Sequence, residues 1–345
     1  MQKITLCRPD DFHVHFREGR MLAAVSPITA GQFARAIVMP NTKHPPIRTA
    51  MDSDTYRRQI EVCTSGFGFT PLMTIKLYPD TTPAMILAAH DVGVVAAKLY
   101  PEGVTTNAED GVSISNIKVL YPSFGMMEKC GMLLLLHGEM PGVFCMLREV
   151  AFHQVVRKIV PLFPKLKIVM EHITCAETVR FVDEMPDTVG ATITLHHLEL
   201  TLDDVVGDKC HPHNFCKPIA KSPDDRDALI KIILTRHPKF FFGSDSAPWE
   251  ISDKECADGC AGVFTSPIAL PRLIEFFEKV DALDRLEDFT SRFGAEFYGL
   301  PLNEGTITLV EKPWKSLLVP MRSEGFAKSI RPYLAGQTIK WQVEN

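Results

Sequence analysis

The stretch Phe12-His13-Val14-His15 is the first of eight short runs of apolar and β-forming residues. Strands that are buried on both faces have such continuous runs, and helical patterns lie between several of them. This alternation predicts an α/β fold, a (β/α)8 TIM-type barrel with a short C-terminal extension, and an open doubly wound sheet is the alternative. The predicted strands are 12–15, 36–39, 71–77, 94–99, 133–137, 167–172, 191–195 and 240–245.

The helices are predicted from apolar periodicity and from start signals such as Pro83 and the acidic turn after Pro223. Short strands in the tail are expected to cover the barrel. No linker, repeat or low-complexity segment interrupts the chain, so residues 1–345 are expected to form one domain. The predicted helices are 52–63, 83–91, 144–160, 175–184, 223–236, 272–279 and 286–297, and the predicted tail strands are 307–309, 316–319 and 337–343.

The composition argues against several classes of protein. The net charge is −5 and no basic cluster contains interleaved aromatic residues, so a nucleic-acid surface is not expected. The longest apolar stretch, Met132 to Leu136, is far too short to cross a bilayer, and the N-terminus lacks the features of a secretory signal. Nine scattered cysteines are typical of free thiols in a reducing compartment. We therefore expect a cytoplasmic protein with neither a membrane nor a nucleic acid as its partner.

Candidate metal ligands share one position in the predicted strands. His13 and His15 point to the same face of the first strand, and zinc binds imidazole nitrogen readily, although this spacing also occurs in ordinary strands. The active site of a barrel enzyme lies at the C-terminal ends of its strands. Four more candidates stand at such ends, which predicts a metal-dependent site there: Lys98, His137, His172 and Asp245. His196 and His197 are weaker candidates for the lining of the same pocket.

Lys98 and Asp245 each have two interpretations. A lysine inside an apolar strand is costly to bury as an ammonium unless it is paired. It forms either a buried ion pair or, after carbamylation by carbon dioxide, an anionic ligand that bridges two metal ions. Asp245 is either an ordinary helix cap or a metal ligand that also moves a proton. The presence of the other ligands favours the second role for Asp245.

Motifs spread over nearly the whole chain resemble those of the amidohydrolase superfamily and, within it, the dihydroorotases of the shorter, bacterial and fungal type. The motifs are Asp11-Phe12-His13-Val14-His15-Phe16-Arg17-Glu18-Gly19, Met39-Pro40-Asn41-Thr42, Lys98-Leu99-Tyr100-Pro101, Thr105-Thr106-Asn107, Leu136-His137-Gly138-Glu139, Glu171-His172, Asn214-Phe215-Cys216-Lys217-Pro218, Gly243-Ser244-Asp245-Ser246-Ala247-Pro248, Cys260-Ala261-Gly262 and Phe297-Tyr298-Gly299-Leu300-Pro301.

The resemblance implies two zinc ions per subunit. His13, His15 and Asp245 would hold the more buried ion, and His137 and His172 the other. Lys98, modified to N6-carboxylysine, and a hydroxide would bridge them. It further implies a homodimer that cyclises N-carbamoyl-L-aspartate reversibly to L-dihydroorotate in de novo pyrimidine biosynthesis, with the hydroxide as nucleophile and Asp245 as proton shuttle.

The resemblance also implies a set of contacts to this small-molecule substrate. Arg17 and Asn41 would bind its carboxylate, the loop with Thr105 and Thr106 would close over it, and Lys217 and Ala261 would reach it through the main chain. The full implied set of substrate contacts is His15, Arg17, Asn41, Thr105, Thr106, His137, Lys217, Trp249 and Ala261.

Trp249 departs from the family pattern, which usually has a histidine there. An indole offers one N–H donor and no titratable proton. The departure leaves two alternatives open, a sister cyclic amidase of the dihydropyrimidinase or hydantoinase kind and a catalytically impaired barrel that serves as a scaffold. Arg17 and Asn41 argue against the amidase because such enzymes lack a carboxylate clamp. The complete set of predicted metal ligands argues against the scaffold.

Overall fold

The computed structural model describes residues 2–43, 46–106, 108–321 and 328–344. The chain begins with strand β1 (Lys3–Cys7) and then forms a sheet of eight parallel strands, each of which pairs with the next in the chain. These strands are β2 (Asp10–Val14), β3 (Arg35–Val38), β4 (Thr70–Lys76), β5 (Ala96–Leu99), β6 (Leu133–Leu136), β7 (Ile168–Met170), β8 (Val189–Ile193) and β9 (Phe240–Phe242).

The two edges of this sheet meet at the carboxyl ends of β2 and β9. The Asp245 N–H donates to the His13 carbonyl at 2.9 Å, and the His15 N–H donates to the Ser246 carbonyl at 3.1 Å. These bonds join the first strand to the segment after the last and nearly close the barrel. The predicted barrel is therefore confirmed, the open sheet is not observed, and all eight predicted strands are present with slightly shifted ends.

Helices cover the outside of the barrel, and they are α1 (Gly19–Ala30), α2 (Ala50–Cys63), α3 (Pro83–Asp91), α4 (Tyr121–Cys130), α5 (Arg148–Ile159), α6 (Ala176–Glu184), α7 (Leu195–Glu199), α8 (Asp203–Val206), α9 (Pro223–Leu234), α10 (Ile251–Lys254), α11 (Ala269–Lys279) and α12 (Phe293–Tyr298). A side-chain cap is not needed for a correct prediction, since α5, α6 and α11 were predicted and have none. Thr49, Thr82 and Ser222 cap α2, α3 and α9 with their side chains, and all three helices were predicted. The helices α1 and α4 begin without a side-chain cap and were missed.

The tail returns to the N-terminus as antiparallel strands. Strands β1, β10 (Thr306–Lys315) and β13 (Thr338–Val343) form one small sheet, and β11 (Val319–Met321) and β12 (Lys328–Ile330) form another. The predicted tail strands 307–309 and 337–343 correspond to β10 and β13, whereas the predicted strand 316–319 reaches only the first residue of β11. Strands β1 and β12 were not predicted. The indole N–H of Trp341 donates to Glu278 at 2.9 Å and so joins the first small sheet to α11. No helix in the described ranges is long and apolar enough to cross a membrane.

The amino end of the barrel is closed by rings and paired charges. Phe12 packs edge-on against Phe241, with ring centroids 5.3 Å apart. Gly294 lies directly on Phe12, since a Cβ at this position would approach the Phe12 ring to 2.1 Å. The segment predicted as one helix over 286–297 contains a π-helical turn, which is followed by the short α12. Beside it, the buried carboxylate of Asp10 accepts hydrogen bonds from Arg35 and Asn303.

Candidate active site

A pocket opens at the carboxyl end of the barrel and contains about 370 Å³ of empty space. Its lining residues stand at the carboxyl ends of seven of the eight barrel strands or in the segments that follow them, and they include Tyr100, Ala247 and Gly262, which were not predicted as site residues. The predicted site residues that line it are His13, His15, Arg17, Asn41, Thr105, Thr106, His137, His172, Lys217, Asp245 and Ala261. Lys98 and Trp249 lie outside this lining. Asn107 and His44 lie outside the described residues.

His13, His15 and Asp245 form a compact group of nitrogen and oxygen donors. The Nε2 atoms of the two histidines are 3.3 Å apart. One carboxylate oxygen of Asp245 lies 3.3 Å from His13 Nε2 and 3.2 Å from His15 Nε2. All three side chains are buried. The strand alternation predicted for His13 and His15, together with the closure of the barrel at Asp245, produces this geometry.

Asp11 stabilises the backbone that carries this group of donors. Its buried carboxylate accepts hydrogen bonds from the backbone N–H of His13 at 3.1 Å and from the backbone N–H of Ser244 at 2.8 Å. The Ser244 hydroxyl donates to it as well, at 2.6 Å. Burial raises the pKa of Asp11 to about 6. Asp11 thus holds the first strand beside the segment that carries Asp245.

His172 and His137 lie on the other side of His13. The His172 ring centroid is 5.0 Å from that of His13 and 4.8 Å from that of His137. The Thr192 hydroxyl accepts a hydrogen bond from the His172 backbone N–H at 2.7 Å, and this backbone has a positive φ of 45°. His137 Nε2 lies 2.8 Å from a carboxylate oxygen of Glu139.

Lys98 is fully buried in β5, beneath the pocket. Its ammonium forms an ion pair with Glu171, which is also fully buried on its side chain. Burial holds the pKa of Lys98 well below its usual value, so the uncharged amine needed for carbamylation is more accessible. The unmodified chain thus contains the buried ion pair, and carbamylation stays a prediction.

Glu171 was missed as a functional candidate. Its second oxygen lies 3.0 Å from His13 Nδ1, on the opposite side of the ring from Asp245. A histidine that binds a metal through one nitrogen commonly donates the other N–H to a carboxylate, which fixes the ring. The signal was available in the sequence, because Glu171 stands in an apolar strand as Lys98 does.

Shifted pKa values favour neutral histidines and an ionised Asp245, which are the protonation states that bind a cation. Burial lowers the pKa of His13 and lowers that of His15 to about 3. Burial also lowers the pKa values of His137 and His172, so all four rings are neutral at pH 7 and offer lone pairs. Burial alone would raise the pKa of Asp245, but attraction to His13 and hydrogen bonds from His13 and His15 hold it well below its usual range.

The donor set fits a metal ion. Donor atoms of His13, His15 and Asp245 lie within 4.8 Å of one another, as do those of His13, Glu171 and His172. His172 Nδ1 is buried without a hydrogen-bond partner, although buried polar atoms normally have one. Neutral imidazoles and a carboxylate are ligands that zinc accepts. The residues therefore fit the metal site that the strand ends predict.

Arg17 supplies the positive charge of the pocket. Its side chain is buried and forms no ion pair with a carboxylate of the described chain. The guanidinium donates through Nε to the Pro248 carbonyl at 3.1 Å, and the Tyr56 hydroxyl donates to the Arg17 carbonyl at 2.6 Å. The other guanidinium nitrogens suit bidentate binding of a ligand carboxylate.

Trp249 acts on the pocket from outside its lining. Its ring stacks on Arg17, whose Cζ lies 4.3 Å from the ring centroid. Its single N–H donates to the Ala261 carbonyl at 2.8 Å and is therefore used within the protein. Trp249 thus contacts two lining residues, Arg17 and Ala261, and its predicted direct contact with the substrate stays a prediction.

His196 and His197 are buried but do not belong to the pocket lining. With Cys216 they form a third group of closely spaced donors. His197 Nδ1 lies 2.9 Å from the Thr194 hydroxyl, and its Nε2 lies 3.1 Å from the Pro218 carbonyl. Both nitrogens of His197 therefore have hydrogen-bond partners within the protein.

Comparisons with known proteins agree with this geometry. A curated dihydroorotase of Teredinibacter turnerae is 45% identical over 345 residues, which cover 99% of this chain and 98% of the relative. The chain belongs to the dihydroorotase family. A solved dihydroorotase of Saccharomyces cerevisiae, in complex with 5-fluoroorotic acid, has a TM-score of 0.92 at 36% identity. The match covers 100% of this chain and 99% of the yeast chain. A solved dihydroorotase of Campylobacter jejuni has a TM-score of 0.91 at 37% identity, with 99% and 98% covered.

No model of a protein family matches the sequence. The full-length similarity to dihydroorotases nevertheless confirms the family that the motifs predict and disfavours the sister cyclic amidase. Dihydroorotases are hydrolases that act on a cyclic amide. The family therefore implies a small-molecule substrate and a metal ion, and the donor groups around His13 fit that ion.

Proposed function

We propose that this chain catalyses the reversible cyclisation of N-carbamoyl-L-aspartate to L-dihydroorotate in de novo pyrimidine biosynthesis. The observation that carries the proposal is one pocket that contains both the donor group of His13, His15 and Asp245 and a buried guanidinium, that of Arg17, which forms no ion pair with a carboxylate of the described residues. The donor group suits the ring amide, and Arg17 suits the substrate carboxylate. Full-length similarity to dihydroorotases supports the same reaction.

Two zinc ions per subunit are part of the proposal. His13, His15 and Asp245 would hold one ion and His137 and His172 the other, with carbamylated Lys98 as a ligand of both. Bound zinc polarises a carbonyl and lowers the pKa of water, which supplies a nucleophile at neutral pH. The protein would orient these ligands through neighbours such as Glu171, whose carboxylate oxygen lies 3.0 Å from His13 Nδ1.

Asp245 is the proposed proton shuttle. Its low pKa keeps the carboxylate ionised at neutral pH, so it can accept a proton from the attacking water. In the hydrolytic direction the same carboxylate then delivers this proton to the ring nitrogen as the amide bond breaks. In the cyclising direction it removes the proton from that nitrogen. Its carboxylate oxygen lies 3.3 Å from His13 Nε2 and 3.2 Å from His15 Nε2, beside the proposed metal ligands.

The residues that line the pocket support the proposed contacts with the substrate. Arg17 and Asn41 bind the substrate carboxylate, and Lys217 and Ala261 contact the ring through the main chain. Thr105 and Thr106 belong to a loop that closes over the ligand and excludes water. His15 and His137 also face it. We propose that Trp249 contributes indirectly, by holding Arg17 and Ala261.

Binding of a substrate carboxylate by Arg17 and Asn41 distinguishes the proposed reaction from that of a cyclic amidase, which lacks such a clamp. The test is an ultraviolet assay of dihydroorotate with zinc-loaded protein, with dihydrouracil as the matched substrate that lacks the carboxylate. We expect turnover of dihydroorotate that chelation abolishes and zinc restores, and little turnover of dihydrouracil. Well-folded protein with two zinc ions and no turnover would contradict the proposal and favour an impaired scaffold.

We further propose that the chain acts as a single domain over residues 1–345, that it forms a homodimer and that it resides in the cytoplasm. Sedimentation equilibrium of the purified protein tests the dimer. Localisation of a tagged copy in its native cell tests the compartment.

A further inference from the structure

A buried ammonium lies behind the pocket wall, at the end of the short helix α10. Lys254 is 3% exposed, and its Nζ donates three hydrogen bonds, to the carbonyls of Phe215 at 2.9 Å, Cys260 at 2.9 Å and Gly262 at 2.7 Å. An ammonium has three N–H donors, so all of them are used. No carboxylate of the described chain forms an ion pair with Lys254.

The three carbonyls belong to two segments that are far apart in the sequence. Phe215 lies two residues before Lys217, and Cys260 and Gly262 flank Ala261, so the ammonium joins the two segments that line the pocket at these positions. A direct bond from the Gly262 N–H to the Phe215 carbonyl at 2.9 Å runs beside it. Lys254 and this direct bond thus link the two main chains side by side.

The space around these segments leaves little room for adjustment. A Cβ at Gly262 would lie 2.6 Å from the Ala247 carbonyl, and the φ of Gly262 is 147°. Ala261 is held on its other side by the N–H of Trp249. Small displacements of groups that position a ligand have large effects on its binding, and here one side chain outside the pocket sets the position of two of them.

We propose that Lys254 is a positioning residue for substrate binding, which fixes the segments 215–217 and 260–262 at the spacing that the ligand requires. The inference rests on the proposed function and deepens it. Lys254 does not contact the ligand. Its effect therefore falls on the affinity for the ligand rather than on the chemical step.

The chain offers a matched control at the other end of the barrel. Lys239 is 6% exposed, and its Nζ also donates to three backbone carbonyls, those of Val182 at 2.8 Å, Asp183 at 2.9 Å and Met185 at 2.7 Å. Lys254→Met and Lys239→Met thus remove the same kind of interaction. Only the first removes it from the pocket wall.

The experiment measures KM and kcat for dihydroorotate, the Kd of 5-fluoroorotate by calorimetry, zinc content and Tm for the two variants. We expect both variants to lose thermal stability and to keep their zinc. Only Lys254→Met should raise KM and Kd, by about 10-fold or more, with kcat within about 3-fold. Equal losses of Tm with unchanged KM and Kd in Lys254→Met would overturn the proposal.

Hydrogen–deuterium exchange supplies a second readout that does not depend on activity. Amides of 213–217 and 260–263 should exchange faster in Lys254→Met but not in Lys239→Met, and unchanged exchange in Lys254→Met would contradict the proposal. If Lys254→Met does not fold, Lys254→Gln replaces it, since the amide retains two donors. Wild-type protein that neither binds 5-fluoroorotate nor turns over dihydroorotate would contradict the proposed function, and the exchange data would still decide whether Lys254 holds the two segments.

Discussion

The two ends of the barrel differ in their buried polar groups, since at the carboxyl end some are satisfied within the protein, as Lys254 is, and others are not. At the amino end, Asp10 accepts hydrogen bonds from Arg35 and Asn303, and Lys239 donates to three carbonyls. At the carboxyl end, His172 Nδ1 has no hydrogen-bond partner among the described residues, and Arg17 forms no ion pair with any of their carboxylates. Groups that are satisfied within the protein stabilise the fold, whereas buried groups that lack a partner indicate what the molecule binds.

Backbone strain is also found at the pocket, although three further non-glycine residues outside it have positive φ values. Arg17, His172 and Asp245 have positive φ values of 59°, 45° and 42°, although none of them is glycine. Such conformations are costly and persist where the surrounding structure enforces them, often at functional sites. All three residues line the pocket. Substitutions at the two ends should therefore separate activity from stability.

The largest effect is expected for Asp245→Asn. The amide cannot accept a proton from water, so kcat should fall by about 10³-fold or more while the fold is retained. Dihydroorotate turnover and circular dichroism measure the two quantities. Full activity would exclude the proton shuttle.

Lys98→Ala should have the next largest effect. Loss of the proposed bridging ligand should remove zinc and lower turnover by more than the roughly 100-fold that changes around metal ligands cost. Short carboxylic acids should restore part of the rate, since they can replace the carbamate. Metal analysis and rescue assays check this, and unchanged zinc content would argue against the bridge.

Arg35→Met tests the amino end. It leaves the buried carboxylate of Asp10 without its cation, and the unfolding free energy should fall by about 3 kcal/mol with KM unchanged. Urea denaturation measures the loss. The matched control is Arg58→Met, which removes an exposed i,i+4 pair with Asp54 and should cost no more than about 0.5 kcal/mol. Equal losses in both variants would remove the distinction between the two kinds of pair.

Trp249 should give the smallest effect. Trp249→Leu removes both the ring that stacks on Arg17 and the N–H donor to Ala261, whereas Trp249→Phe removes the donor and keeps an aromatic face. A cation–π contact of about 1 kcal/mol corresponds to roughly a 5-fold change in KM for Trp249→Leu, and Trp249→Phe should change KM less. Steady-state kinetics measure both, and identical KM values in the two variants would show that stacking on Arg17 has no role.

The barrel could be predicted because each buried parallel strand is a local apolar run, and the ligand candidates because each stands at the end of such a run. Helix α1 could not be predicted, since Glu18 at its start gives no cap signal and Pro27 interrupts its helical pattern. Strand β1 is short and acquires its partner, β10, from the far end of the chain. Local patterns contain no information about such pairings.

The site was predictable where residues act through their type and position in a strand, as His13 and Lys98 do. Lys254 was not, because its role depends on carbonyls that come together only when the barrel closes, one of them 39 residues away. The contacts of Trp249 were hidden for the same reason. The sequence showed that Trp249 departs from the family pattern, but only the fold shows that its N–H donates to the Ala261 carbonyl.

The stacking of Trp249 on Arg17 also gives the protein an intrinsic fluorescent probe. The sequence has three tryptophans, and the other two, Trp314 and Trp341, lie together in the small sheet with β1. Indole emission responds to a charge close to the ring, so neutralisation of the Arg17 guanidinium by a ligand carboxylate should change the signal of Trp249 alone. Subtraction of the spectrum of Trp249→Phe would isolate this signal, and occupancy of the pocket could then be followed in real time without a label.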